Sequence, residues 1–346
     1  MQISTRLASL DVFRGLTIAL MILVNTPGDG RTTYAPLQHV PWHGWTITDG
    51  VFPSFVWIIG LAVTLVVPRR LASGLAPRAI LSQAARRTAI LFGLGVFLYA
   101  FPHFNLETFR ILGVLQRLAL CYFATVLAVL YFPWRAQLGL AFGLLAAYWI
   151  AMVSYGPLTV EGNLAHAIDR AILGSHNYGN TKTWDPEGIL STVPAIASCL
   201  LGAVAGKFLK VPVLLFSGLV LAIAGQLAGF FFPINKMLWS PSFVLWMAGL
   251  DAILMGALLW IVDQKGWRAW ARPFEWMGMN AITLYLVSEF VEITLQWRGW
   301  KEPIYRTVFL PLASPYNASL LYALTYVALH AVLAYWLWRK KIFLRV

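Results

Sequence analysis

The chain is 346 residues long, 59% of them hydrophobic and 12% charged, with a mean hydropathy of +0.70. Soluble globular domains carry about 45–50% apolar and about 25% charged residues, so this composition excludes a cytosolic enzyme and a disordered chain. The net charge of +12 does not indicate a nucleic-acid partner, because the basic residues are spread between apolar runs and not massed. Cys121 and Cys199 lie inside apolar runs with no CxxC or ligand spacing, which implies neither a disulfide framework nor a zinc site. Most of the 16 tryptophans flank the apolar runs, as membrane-interface belts do. The chain reads as a polytopic membrane protein.

A hydrocarbon layer about 30 Å thick takes about 20 apolar helical residues. Ten runs answer to that: Leu10–Val24, Val51–Val67, Thr88–Phe101, Ile111–Phe132, Leu138–Val153, Ile189–Ala205, Val211–Phe232, Phe243–Val262, Phe274–Leu295 and Leu320–Leu337. They predict an all-α bundle of about ten transmembrane helices in a single domain, residues 1–346, with no internal repeat and no soluble domain. The first run has no small-residue cleavage site after it and reads as a retained helix, not a signal peptide. The third is short, but Arg86 and Arg87 can snorkel and lengthen it on one side. With the N-terminus cytoplasmic and all ten runs crossing, sixteen Lys and Arg residues, Arg6 and Arg345 among them, fall in cytoplasmic connections and eight in outer ones. That bias puts both termini inside. Three outer connections are long, Asn25–Asp49, Ser154–Gly188 and Gln296–Ser319, and long connections carry function more often than they merely connect.

Five places hold candidate chemistry, since an ionisable group at membrane depth is costly to keep. Asp11 and Arg14, spaced i,i+3, can pair on one helix face, either as a structural ion pair or as part of an anion site. Asn25, His39 and Asp49 line the outer connection after the first run. Asp49 falls where a helix N-cap is expected, His39 is suited to shuttle a proton, and a loop histidine is also an ordinary solvated residue. His39 and His43, spaced i,i+4, need further ligands to hold a metal, and the only other outer histidine near a helix end is His103, so no metal is expected. Arg110 and Arg117, in Arg110-Ile111-Leu112-Gly113-Val114-Leu115-Gln116-Arg117, are two turns apart on one predicted helix face. Arg117 is either a partner for Glu289 or Asp251 or a clamp on phosphate or carboxylate. Asp185-Pro186-Glu187 reads as an N-cap followed by a first-turn proline, with Glu187 placed to meet an ammonium or hydroxyl group. Finally, Gly278-Met279-Asn280-Ala281 is followed on the same run by Glu289 and Glu292, and His330 reads as a buried core residue.

These segments together carry a resemblance. Ser9-Leu10-Asp11-Val12-Phe13-Arg14-Gly15, Val24-Asn25, His39…Trp42-x-Gly44-x-Thr46-x-x-Asp49-x-Val51-Phe52-Pro53, Gly113-Val114-Leu115-Gln116-Arg117, and Asp185-Pro186-Glu187-Gly188 followed by Gly202-x-x-Ala205-Gly206-Lys207 resemble the heparan-α-glucosaminide N-acetyltransferase family. The chain is similar to bacterial members, which lack the lumenal N-terminal domain and extra first helix of the animal enzymes. The resemblance implies transmembrane acetylation in a bacterial inner membrane: cytosolic acetyl-CoA donates an acetyl group to the amine of a glucosamine-type sugar on the periplasmic side. It matches His39 to the family's active-site histidine, Asn25 to an asparagine beside it, and Asp49, Asp185 and Glu187 to carboxylates at the same mouth. With His39, Asn25 and Asp49 as the catalytic set, Asp185, Glu187, Trp42, Trp45 and Asn280 are the candidates for the acceptor, and Arg14, Arg110, Gln116 and Arg117 those for the phosphate-bearing donor. His43 departs from the animal pattern.

Two chemical routes stay open at this level: His39 as general base toward the sugar amine, or as a nucleophile carrying the acetyl group. Asn25 can donate to the oxyanion of the thioester. Trp42, Trp45, Tyr34, Tyr178 and Trp184 offer faces for a sugar ring and equally suit interfacial anchoring. Family analogy implies a homodimer, with no interface legible. The competing class is an amino-sugar or other small-solute transporter built around Asp11, Arg117, Asp251 and Glu289. Against it, no matched pair of Gly/Pro-broken helices is seen, and the distinctive residues gather at one face. A purely structural membrane protein would leave the buried charges unexplained.

Overall fold

The computed structural model describes residues 7–343, so Arg6 and Arg345 lie outside it. Its helices are α1 (Ala8–Asn25), α2 (Ile47–Ala72), α3 (Pro77–Ala100), α4 (Val114–Tyr131), α5 (Trp134–Tyr155), α6 (Leu164–Leu173), α7 (Thr192–Lys207), α8 (Val211–Gly229), α9 (Pro241–Leu258), α10 (Arg272–Met279), α11 (Ala281–Trp297), α12 (Lys301–Ile304) and α13 (Pro315–Arg339). Among the described residues there is no strand, only an isolated bridge between Gly44 and Asn235.

Each of the ten apolar runs overlaps a helix, but among the described residues seven helices are long and apolar enough to cross a membrane: α1, α2, α4, α5, α8, α9 with its continuation to Gln264, and α13. The other three runs depart for visible reasons. Helix α3 carries Arg78, Arg86 and Arg87 along its length, and α7 has only 16 residues. Phe274–Leu295 is not one helix: Asn280, at φ −126° and ψ 32°, separates α10 from α11. Helix α8 has no charged residue, yet Phe216, Leu219, Val220, Ile223 and Leu227 on it are exposed. A helix apolar all round whose side chains stay uncovered is built to face hydrocarbon.

Contacts divide the chain into two compact units. One comprises residues 7–39, 46–51 and 254–343, the other residues 40–45 and 52–253. In the first, α1 packs on α10, with α11 and α13 alongside. The α1–α10 approach is so close that a Cβ on Gly15 would stand 1.7 Å from the Phe274 carbonyl oxygen, and one on Gly278 1.8 Å from that of Asp11. Each glycine thus admits the other helix's backbone, as small residues do between membrane helices. In the second unit α3 packs on α4, and α4 and α5 pack on α7. Tyr148, Met152, Ala165, Phe232 and Leu238 form one apolar nucleus there, beneath the long connection that carries α6 and Asp185.

Candidate active site

In the first unit the centre is built at the start of α2. The residue before the helix, Thr46, donates its backbone N–H to Asp49 Oδ2 at 3.0 Å, and its hydroxyl lies 3.1 Å from that oxygen and 2.6 Å from the Gln38 carbonyl. This is a capping-box arrangement in which the carboxylate sits in the first turn and reaches back. Asp49 is therefore not the N-cap that its sequence position suggests. Its other oxygen, Oδ1, is 2.6 Å from His39 Nδ1. The carboxylate is fully buried while the His39 side chain is 45% exposed, so a ligand-accessible imidazole is held by an inaccessible acid.

Asn25, the last residue of α1, is exposed and donates from Nδ2 to Glu289 Oε1 at 3.1 Å. At the other end of α1, Arg14 Nη1 is 3.2 Å from Asp11 Oδ1 and 3.4 Å from the Gly278 carbonyl. Asn280 belongs to that end: it follows Gly278 in the α10–α11 break and donates to the Ile342 carbonyl at 3.2 Å. The structure thus does not bring Asn280, expected at the acceptor, together with Asn25.

In the second unit, residues expected separately at donor and acceptor form one buried network. Arg110 Nε is 2.7 Å from Asp185 Oδ2, and its Nη2 reaches both Asp185 Oδ1 and Glu187 Oε2 at 2.5 Å. The rings of Tyr99 and Tyr178 flank the guanidinium at 4.7 and 4.4 Å. Two expectations are corrected. Helix α4 begins at Val114, so Arg110 and Arg117 do not share a helix face; Arg110 sits in an extended lead-in whose Ile111 N–H bonds the His176 carbonyl. Helix α7 begins at Thr192, so Asp185 does not cap it and instead accepts the Glu187 N–H at 2.8 Å.

Arg117 donates to Gly188 O at 3.2 Å and to Ser191 Oγ, and lies over the Trp239 ring; among the described residues its Nε and Nη1 have no hydrogen-bond partner. The expected carboxylate partners are engaged elsewhere, Asp251 by Ser54 at 2.6 Å and Glu289 by Asn25. Gln116 is buried and donates to the Ile111 carbonyl at 3.0 Å. Trp42 donates to the Leu158 carbonyl and meets His166 and Trp184 edge-on, while Trp45 packs against Trp246. His43 accepts from Asn235 Nδ2 at 3.3 Å. Among the described residues no three His, Cys, Asp or Glu side chains converge.

Two buried residues of this network, both on α6, escape sequence reasoning. Asp169 accepts the Ile189 N–H at 2.9 Å, and a Cβ on Gly188 would fall 2.0 Å from its Oδ2, which is why the Asp-Pro-Glu turn ends in glycine. His166 stacks on Trp184 with centroids 4.2 Å apart, and its Nδ1 bonds the Val160 carbonyl at 2.6 Å. Their i,i+3 spacing in a long connection is the one signal the sequence offers for them.

The electrostatics follow from burial and partners. Desolvation raises the Asp169 carboxyl to about 6, against the pull of the backbone N–H groups of Ile189 and Asp185. Desolvation also lowers His166 to about 4, leaving it neutral. Burial pushes Asp185 up despite Arg110. For Glu187 the same burial cost is outweighed by Arg110, Arg117 and Lys236, and its carboxyl lies below the ordinary range. Burial opposes the Arg110 charge, but Tyr99, Asp185 and Glu187 overcome it and hold the guanidinium charged.

A family model for the heparan-alpha-glucosaminide N-acetyltransferase catalytic region matches residues 6–210, more than half of the chain. The chain belongs to this family. The mouse and human heparan-alpha-glucosaminide N-acetyltransferases are each 28% identical to it, over 99% of its length. It spans 61% of the mouse relative and 60% of the human one. The matched region of this heparan-alpha-glucosaminide N-acetyltransferase family member contains both the His39–Asp49 pair and the Arg110–Asp185–Glu187 network. Its motifs therefore serve different ends. Gly15 and Gly188 are places of close approach, whereas His39 combines exposure with a buried acid.

Proposed function

We propose that this protein is a transmembrane N-acetyltransferase that moves the acetyl group of acetyl-CoA to the amine of a glucosamine-type sugar. The observation that carries the reading is the exposed His39 ring held through Nδ1 by buried Asp49 at 2.6 Å. With Nδ1–H donating its hydrogen bond to Asp49, the imidazole lone pair is on Nε2. Acetyl-CoA supplies a thioester carbonyl. Nε2 takes the proton as the sugar nitrogen attacks that carbon, and returns it to the departing thiolate as the C–S bond breaks. Asn25 serves as the hydrogen-bond donor to the oxyanion.

The residues expected at the donor differ in exposure and in their partners. Arg110 is spent on two carboxylates, Gln116 on a backbone carbonyl, and Arg117 is almost wholly buried. The Arg14 side chain is 26% exposed and is the one we assign to the donor's phosphates. Arg14 and Asn25 lie on the same helix, roughly 16 Å apart along its axis, a separation suited to an extended pantetheine arm. Asp185 and Glu187 we assign to holding the 184–191 turn on Arg110, not to the sugar.

The reading includes ten crossings with both termini cytoplasmic, an acceptor on the periplasmic face and residence in a bacterial inner membrane, the last two by analogy with the family. Proteoliposomes of defined orientation test it. An enzyme deposits acetylated glucosamine on the side opposite acetyl-CoA and leaves CoA on the donor side. Passage of unmodified sugar without acetylation would replace the reading with a carrier.

A further inference from the structure

Glu289, on α11, is bonded to a residue of the proposed centre although no role has been assigned to it. Its Oε1 accepts from Asn25 Nδ2 at 3.1 Å. A carboxylate only accepts, whereas a carboxamide has one donating and one accepting end, so Glu289 decides which end of Asn25 faces it. The neighbouring acid does not compete. Glu292, one turn along α11, is taken by Lys301 Nζ at 2.5 Å and by Gln296 Nε2 at 2.6 Å, which leaves Glu289 for Asn25. Asn25 ends its helix and is exposed, so without a partner its two side-chain torsions would have to be ordered at each turnover.

We propose that Glu289 is a positioning residue for Asn25, an inference that rests on the acetyltransferase reading above. One amide N–H of Asn25 is anchored on Glu289, and the second is thereby set in a fixed direction as the oxyanion donor. Glu289 itself touches neither substrate.

Kinetics of acetyl transfer from acetyl-CoA to glucosamine by the purified full chain test this. Glu289→Ala is expected to lower kcat about 10- to 100-fold with both KM values within about twofold. Glu289→Gln, whose amide oxygen still accepts, should recover to within about threefold of wild type, and Asn25→Ala/Glu289→Ala should match Asn25→Ala alone. Should Glu289→Ala not accumulate, Glu289→Met, which keeps bulk but cannot accept, takes its place. A raised KM for the amine at unchanged kcat, or losses that multiply in the double variant, would overturn the proposal. A second readout needs no turnover: in protein labelled with 15N-asparagine, side-chain N–H exchange of Asn25 should be faster in Glu289→Ala than in wild type or Glu289→Gln. Equal exchange overturns the positioning role. Absence of acetyl transfer in the wild-type protein overturns instead the acetyltransferase reading, with the exchange result still deciding what Glu289 does.

Discussion

His39 and His166 are both anchored through Nδ1, and their surroundings make them opposites. His39 faces a carboxylate and stays accessible; His166 faces a carbonyl, stacks on Trp184 and is buried. The first arrangement orients an accessible imidazole, the second excludes a proton. For Asp49, exchange to Asn removes the acid that fixes the imidazole, and acetyl transfer should fall roughly 100-fold. His166 and Asp169 should show up in stability. The folded pKa of His166 is depressed from 6.5 to about 4, so its contribution is present above 6.5 and is lost as pH falls through that window. The folded pKa of Asp169 is raised from 3.8 to about 6, so its contribution is present below 3.8 and is lost as pH rises toward 6. Each is on the order of 3 kcal/mol across its window, with opposite sign. Measured as thermal unfolding relative to wild type, Asp169→Asn should gain stability between pH 4 and 6 and His166→Phe should lose it. Parallel trends would contradict both assignments.

At the scale of helices, the apolar runs are legible because hydrophobic content alone marks a membrane helix, and each run overlaps a helix. What hydropathy does not carry is where a helix begins or breaks. The break at Asn280 is hidden because apolar residues continue on both sides of it. The starts of α4 and α7 come late because Arg110 and Asp185 are committed to each other across 75 residues of chain, a pairing no local pattern encodes. The His39–Asp49 pair is legible, since capping residues and a motif lie within ten residues; Asp169 and Glu289 are not, since their partners are distant in sequence. Close helix approach gives a direct check. Gly15→Ala and Gly278→Ala each drive a Cβ into the facing backbone and should each destabilise by about 1–3 kcal/mol, read as lowered thermal stability. Arg110→Met leaves two carboxylates buried and should cost about 3–5 kcal/mol. The Arg110→Met/Asp185→Asn/Glu187→Gln triple variant should recover part of the lost stability, read as thermal unfolding.

Across the whole molecule, the seven helices that satisfy length and hydropathy and the three runs that do not have to be reconciled with a single topology. Ten crossings put the 174–183 segment on the outer side and the Lys265–Arg268 segment on the inner side. Cys121 and Cys199 are buried and leave a quiet background for labelling. A membrane-impermeant maleimide should therefore label Asn180→Cys in intact cells and Gln264→Cys only after permeabilisation. Labelling of both in intact cells would remove the crossing by α7, the one shorter run between the two sites.

The most direct test of the account is acetyl transfer from acetyl-CoA to glucosamine by purified His39→Ala beside wild type, with matched thermal unfolding curves. Turnover in wild type and a loss of roughly 100-fold or more in the variant is the expected result. A variant as active as wild type would show that the exposed imidazole on its buried acid is not where the acetyl group changes hands.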